Sequence, residues 1–191
     1  MIMSDKYKIR EIDRAYFVTL TVVNWIDVFS RKNRKHLLVD SLRYCQQNKG
    51  LTIFAWCLMP SHLHMIVRAE GEHTLSDILR DFKKYTSKAI IKQIEEEPES
   101  RREWILELFA KAGEPLKKIK DYKFWQDGNQ AKEIFGNQFL LEKLDYIHNN
   151  PVEELIVSRP EDYLYSSARN YAELDNILDI CLISRQWKTY H

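Results

Sequence analysis

Two histidines one residue apart, His62 and His64, are the pair in this chain best suited to chemistry. They stand in Trp56-Cys57-Leu58-Met59-Pro60-Ser61-His62-Leu63-His64-Met65-Ile66-Val67, where apolar residues flank a short polar break. In an extended strand successive side chains alternate faces, so His62 and His64 project together while Leu63 and Met65 point into a core. Two imidazoles on one face can grip one divalent cation. They can equally be polar tips on a hydrogen-bonded or solvated sheet face, and the pair alone does not decide between the two.

The elements that must position the pair follow from the flanking pattern. Ala15-Tyr16-Phe17-Val18-Thr19-Leu20-Thr21-Val22-Val23 is rich in β-branched and aromatic residues and reads as a first, central strand. A helix is expected from about Lys35 to Asn48, with Leu38, Leu42 and Cys45 on one stripe and Gly50 closing it. Leu51 to Met59 and His62 to Arg68 form a hairpin around Pro60-Ser61. Thr74 is the expected N-cap of a long helix running to about Glu97, with Asp77 completing a capping box. Its apolar stripe is Leu75, Ile78, Leu79, Phe82, Ala89, Ile90 and Ile94, and Tyr85 falls at the edge of that stripe among Lys83, Lys84, Lys88 and Lys92.

Further helices are expected over 101–111 and 134–149, the latter stopped by Asn149-Asn150-Pro151. A loop spans 113–121, a short helix lies within 163–171, and a last strand is expected over 176–183. Strand, helix, strand, strand, helix and a helical extension predict an α+β, ferredoxin-like sandwich with an antiparallel sheet. The chain reads as one domain, a core of about 15–97 and a C-terminal helical extension of about 98–191.

Composition narrows the function classes. With 45% hydrophobic and 30% charged residues, and only 5 Gly and 5 Pro, the chain is neither disordered nor loop-dominated. No apolar run approaches a membrane span and no secretory leader is recognisable, so a cytoplasmic protein is expected. Three widely spaced cysteines read as thiols of a reducing compartment. The net charge of +1 hides an asymmetry: residues 1–93 carry 16 Lys and Arg against 9 Asp and Glu, and the remainder 13 against 19. A basic front half suits a polyanion. Within it, Arg31-Lys32-Asn33-Arg34-Lys35-His36 is either a solvated helix entrance or a contact to a phosphate backbone. Tyr122-Lys123-Phe124-Trp125-Gln126-Asp127-Gly128 mixes aromatics with cations, which fits base stacking or an aromatic plug in the core.

Taken together these blocks resemble a known family. Met59-Pro60-Ser61-His62-Leu63-His64-Met65-Ile66-Val67 is similar to the His-hydrophobic-His signature of single-tyrosine transposases, and Asp81-Phe82-Lys83-Lys84-Tyr85-Thr86 looks like their nucleophile helix. Phe124-Trp125-Gln126, Tyr146-Ile147-His148-Asn149-Asn150-Pro151-Val152 and Asp162-Tyr163-Leu164-Tyr165-Ser166-Ser167-Ala168 resemble later blocks of the REP-associated branch.

The resemblance implies metal-dependent nicking and rejoining of single-stranded DNA, often beside a hairpin. His62 and His64 would hold Mg²⁺ or Mn²⁺, and Tyr85 would form a 5′-phosphotyrosine and release a 3′-hydroxyl. Lys84 or Lys88 would favour the phenolate. Arg31, Lys32, Arg34, Lys35, Lys84, Lys88, Lys123 and Trp125 are the candidate DNA contacts. Tyr146, Tyr163 and Tyr165 lie outside the Tyr85 helix, and as nucleophiles they lack the support that Tyr85 has. Members of the superfamily often supply a third ligand, Asn or Gln, one helical turn after the tyrosine; after Tyr85 those positions are Ala89 and Ile90, which cannot ligate. That departure leaves two other readings: a non-catalytic DNA-binding protein of the same fold, and a phosphodiesterase that uses water. Monomer and homodimer are both compatible with the sequence.

Overall fold

The computed structural model describes residues 14–114 and 122–183. Most of the expected 113–121 loop lies outside them. Strands β1 (Tyr16–Thr21), β2 (Leu51–Leu58), β3 (His62–Ala69) and β4 (Lys132–Glu133) form one antiparallel sheet in the order β2-β3-β1-β4. Helices are α1 (Lys32–Lys49), α2 (Leu75–Glu96), α3 (Arg102–Gly113), α4 (Gly136–Glu153) and α5 (Ala168–Tyr171). This is the expected ferredoxin-like α+β arrangement. β4 pairs with Tyr16 and Phe17 of β1, so the sheet is completed from beyond residue 97 and the expected extension is part of the same body.

All six residues of β1 are buried, so both faces of the sheet are covered. The crossovers through α1 and α2 put those helices side by side against the sheet. α4 lies against β2 and β3, and its Tyr146 ring meets His64 on the other face. The register pairs His64 with Thr19, His62 with Thr21 and Ile66 with Phe17, which fixes the membership of that second face. Leu63, Met65 and Val67 alternate to the α1–α2 side, where Ile78, Leu79, Phe82 and Ile90 supply the helix stripe.

Local signals set the boundaries. Gly50 ends α1 with φ 69°, and a Cβ there would stand 1.7 Å from the Glu70 carbonyl oxygen. Thr74 caps α2, its hydroxyl accepting from the Asp77 amide at 3.1 Å. Two expectations fail. α4 does not stop at Asn149 but continues through Pro151 to Glu153, keeping Asn150 and Pro151 buried inside its last turns. Residues 176–183 form no strand. Their carbonyls go to side chains instead, Ile177 to Arg43, Leu178 to Asn170 and Asp179 to Gln46, which leaves a single edge bond from the Cys181 amide to Ile53.

Candidate active site

His62 and His64 lie on one face of β3, as strand alternation requires, with ring centroids 4.6 Å apart. Both are buried. The His64 Nδ1 stands 2.9 Å from the Thr19 hydroxyl on β1, and its ring stacks on Phe17 at 5.6 Å. The His62 Nδ1 lies 3.1 Å from the Ser61 hydroxyl at the hairpin turn. When Nδ1 of His64 carries the proton and donates to Thr19, Nε2 presents a lone pair. That Nε2 is buried without a hydrogen-bond partner, and so is Oδ1 of Asn150 on α4. Burial lowers the His64 pKa to about 3, with the neighbouring His62 adding to the effect. Burial also lowers that of His62, opposed by the Asn150 amide and by Glu154. Both imidazoles are therefore neutral at pH 7, the form that ligates metals.

α4 supplies the remaining groups. Positions four apart on a helix share a face, so Tyr146 and Asn150 reach the sheet together. The Tyr146 ring is 39% exposed and meets His64 with centroids 5.2 Å apart. The Lys143 ammonium lies 5.6 Å from the Tyr146 ring centroid and is ion-paired with Glu142 at 2.6 Å. Two imidazoles and a carboxamide oxygen form a mixed nitrogen–oxygen donor set that fits Mn²⁺ or Mg²⁺. Among the described residues no group of three His, Cys, Asp or Glu offers an alternative.

The structure does not bring Tyr85 to this face. α2 packs on the sheet as expected, but on the side opposite the histidines. Tyr85 is 62% exposed there, in a groove of about 1310 Å³ between α1 and α2 lined also by His36, Tyr44 and Lys49. Tyr163 and Tyr165 are buried, and the Tyr163 hydroxyl donates to the Leu58 carbonyl at 2.8 Å. Of the four candidate tyrosines, Tyr146 is the one beside the histidines. Its signal is legible in the sequence as a tyrosine followed four residues later by an amide, the spacing missing after Tyr85.

The candidate DNA contacts divide. Lys32, Lys84 and Lys88 are exposed cations. Arg31 is half-exposed but leans toward Glu99 at 3.7 Å. Arg34 is buried, bonded to Glu99 at 3.1 Å and to the Val28 carbonyl, and cannot meet DNA. Lys35 is half-buried over the Tyr165 ring at 4.5 Å, and burial lowers its pKa. Lys123 pairs with Asp127 at 2.6 Å. Trp125 is a core plug, its indole N–H donating to the Thr86 hydroxyl at 3.1 Å and its ring stacked on Phe29. Lys84, Lys88 and Lys123 do line one groove along α2, together with Lys92 and Tyr122.

Fold and site together define a mixed α/β protein whose sheet and covering helix converge two imidazoles, a carboxamide and a phenol. The family described as IS200-like transposases matches residues 14–122, more than half of the chain, and the protein belongs to that family. The match takes in His62, His64 and α2 and ends before α4. Among solved structures, a REP-associated tyrosine transposase bound to a REP hairpin aligns with a TM-score of 0.63 at 20% identity, over 99% of this chain and 100% of that one. A Deinococcus radiodurans R1 protein with a provisional transposase description aligns with a TM-score of 0.42 at 13% identity, over 75% of this chain and 94% of that one. No curated protein matches. Among the described residues no helix is long and apolar enough to cross a membrane.

Proposed function

We propose that this transposase nicks and rejoins single-stranded DNA with Tyr146 as nucleophile and with His62, His64 and Asn150 as holders of Mg²⁺ or Mn²⁺. The observation that carries the reading is the placement of Tyr146 and Asn150 one helical turn apart over the two neutral histidines, with His64 Nε2 and Asn150 Oδ1 unpartnered. The related hairpin-bound structure supports a hairpin-flanked strand as substrate.

The phenol oxygen of Tyr146, losing its proton as it attacks, bonds to phosphorus. The P–O3′ bond breaks and the departing 3′ oxygen takes up a proton, leaving a 5′-phosphotyrosine. Attack by a 3′-hydroxyl reverses the sequence and restores a phosphodiester without ATP. A divalent cation held by the three donors would supply Lewis-acid stabilisation of charge on the phosphate oxygens. Thr19 and Ser61 hold the imidazole orientations, and Lys143 offers positive charge beside the attacking ring, the role assigned from sequence to Lys84 or Lys88. Those two lysines, with Lys32 and Lys123, are proposed as backbone contacts away from the reacting centre.

The ground for a non-catalytic reading, the missing amide after Tyr85, does not apply to Tyr146. The test is nicking of labelled single strands carrying a hairpin, with Mn²⁺. Cleavage that disappears with EDTA, in His64→Ala and in Asn150→Ala supports the reading. Cleavage that survives all three contradicts it.

A further inference from the structure

Trp25 is an aromatic at this site that the proposed chemistry leaves unused. Its indole is 58% exposed and packs T-shaped with the His62 ring, with centroids 5.3 Å apart and planes at 73°. Among the described residues His62 is its one ring neighbour, so an indole face remains open to solvent beside the metal-ligand candidates.

The backbone beneath it is a second, independent observation. Asn24 and Trp25, in the 3-10 turn Val23–Trp25 directly after β1, both have φ of 55°. Asparagine tolerates this left-handed region, but a bulky Cβ-bearing residue such as tryptophan adopts it at a cost. The turn closes on itself through the Trp25 amide on the Val22 carbonyl at 3.1 Å, and is held from outside by the Val23 amide on the Phe124 carbonyl at 2.9 Å. Strain that neighbouring structure enforces gathers at functional sites. Here it turns a large aromatic outward rather than into the core.

We infer that Trp25 is a base platform: its open indole face stacks a nucleobase of single-stranded DNA next to the phosphate at His62 and His64, and so sets which phosphate meets Tyr146. The inference rests on the strand-transfer reading above and adds to it a positioning residue. Every base has a π-face, so such a contact tolerates sequence. It touches no phosphate, so it adds affinity without steepening the dependence on salt. The bland alternative is that the indole merely buttresses the His62 ring.

The test is binding of a fluorescent oligothymidylate and of an abasic deoxyribose-phosphate strand of equal length, measured across salt. Wild type is compared with Trp25→Phe, Trp25→Ala and Trp25→Gly; glycine suits the left-handed backbone and keeps the turn intact. The expected result is a loss of roughly 5- to 100-fold on oligothymidylate for the alanine and glycine variants, with most affinity kept by phenylalanine. The salt slope stays the same, and the abasic strand binds all four proteins alike. Wild-type affinity for oligothymidylate in Trp25→Gly, or an equal loss on both strands, overturns the inference while leaving strand transfer standing. Failure of the wild type to bind any single strand overturns both.

Discussion

At the scale of single residues, the proposed metal-binding role requires a neutral His64. Its pKa is about 3 in the folded chain against an ordinary 6.5, so between those values the unfolded chain takes up a proton that the folded chain refuses. The stabilisation is complete above pH 6.5 and falls as pH drops toward 3, by about 1.4 kcal/mol per unit for each such proton. His62, shifted the same way by burial, acts with the same sign. Urea unfolding of the metal-free protein in EDTA should therefore show stability declining from pH 6.5 to 5, where most carboxylates remain ionised. In His64→Asn the decline should be shallower. An unchanged slope in that variant would mean that His64 titrates normally.

The histidine pair was legible because strand alternation is a local rule. The nucleophile proposed above was not, because distance along the chain from His64 to a helix says nothing about which face of the sheet that helix covers. Tyr85 looked suitable among its lysines, yet α2 crosses on the other face. The better signal was again local: Tyr146 and Asn150 stand four apart in a block that itself resembles the REP-associated branch. It was obscured because Asn149-Asn150-Pro151 reads as a helix stop, whereas α4 carries its pattern through the proline.

At the scale of elements, two devices hold the frame. Gly50 turns α1 into β2 with φ 69° and packs against the Glu70 carbonyl. Gly50→Ala should cost roughly 1–2 kcal/mol for the left-handed backbone alone, and more for the displaced carbonyl. Thermal unfolding measures this, and a midpoint equal to wild type would contradict it. Arg34 ties α1 to Glu99, just before α3. Burial pushes the Glu99 carboxyl up, but the Arg101 backbone amide and Arg34 more than offset that and leave it below its ordinary value. Arg34→Met should destabilise the fold by about 3 kcal/mol, since it strands a buried carboxylate that Arg31 and Arg101 only partly satisfy. The salt dependence of DNA binding should not change. The sequence placed Arg34 in a basic cluster correctly, but which members of a charge cluster turn inward depends on tertiary partners sixty-five residues away.

At the scale of the whole molecule, the proposed chemistry lies apart from the exposed charge. The histidines and Tyr146 share one face of the sheet, while the exposed lysines of α2 line a groove on the other side, at the edge where residues 122–128 pass. Lys83 joins the two, its ammonium bonded to the Gln126 and Gly128 carbonyls at 2.9 and 2.8 Å, while the Gln126 amide bonds Thr21 on β1. Replacing Lys84 and Lys88 by Glu should weaken single-strand binding and flatten its salt slope by ~0.7 for each phosphate that is no longer neutralised. Nicking at saturating DNA should persist. An unchanged slope would remove this groove from the DNA path.

The central claim, that Tyr146 and not Tyr85 carries the covalent intermediate, is tested most directly by trapping the adduct. Wild type, Tyr146→Phe and Tyr85→Phe are incubated with labelled hairpin-flanked single strands and Mn²⁺, then resolved on a denaturing gel. The prediction is a protein–DNA band in wild type and Tyr85→Phe that is absent in Tyr146→Phe and in EDTA. A band that persists in Tyr146→Phe and vanishes in Tyr85→Phe would contradict the account and return the nucleophile to α2.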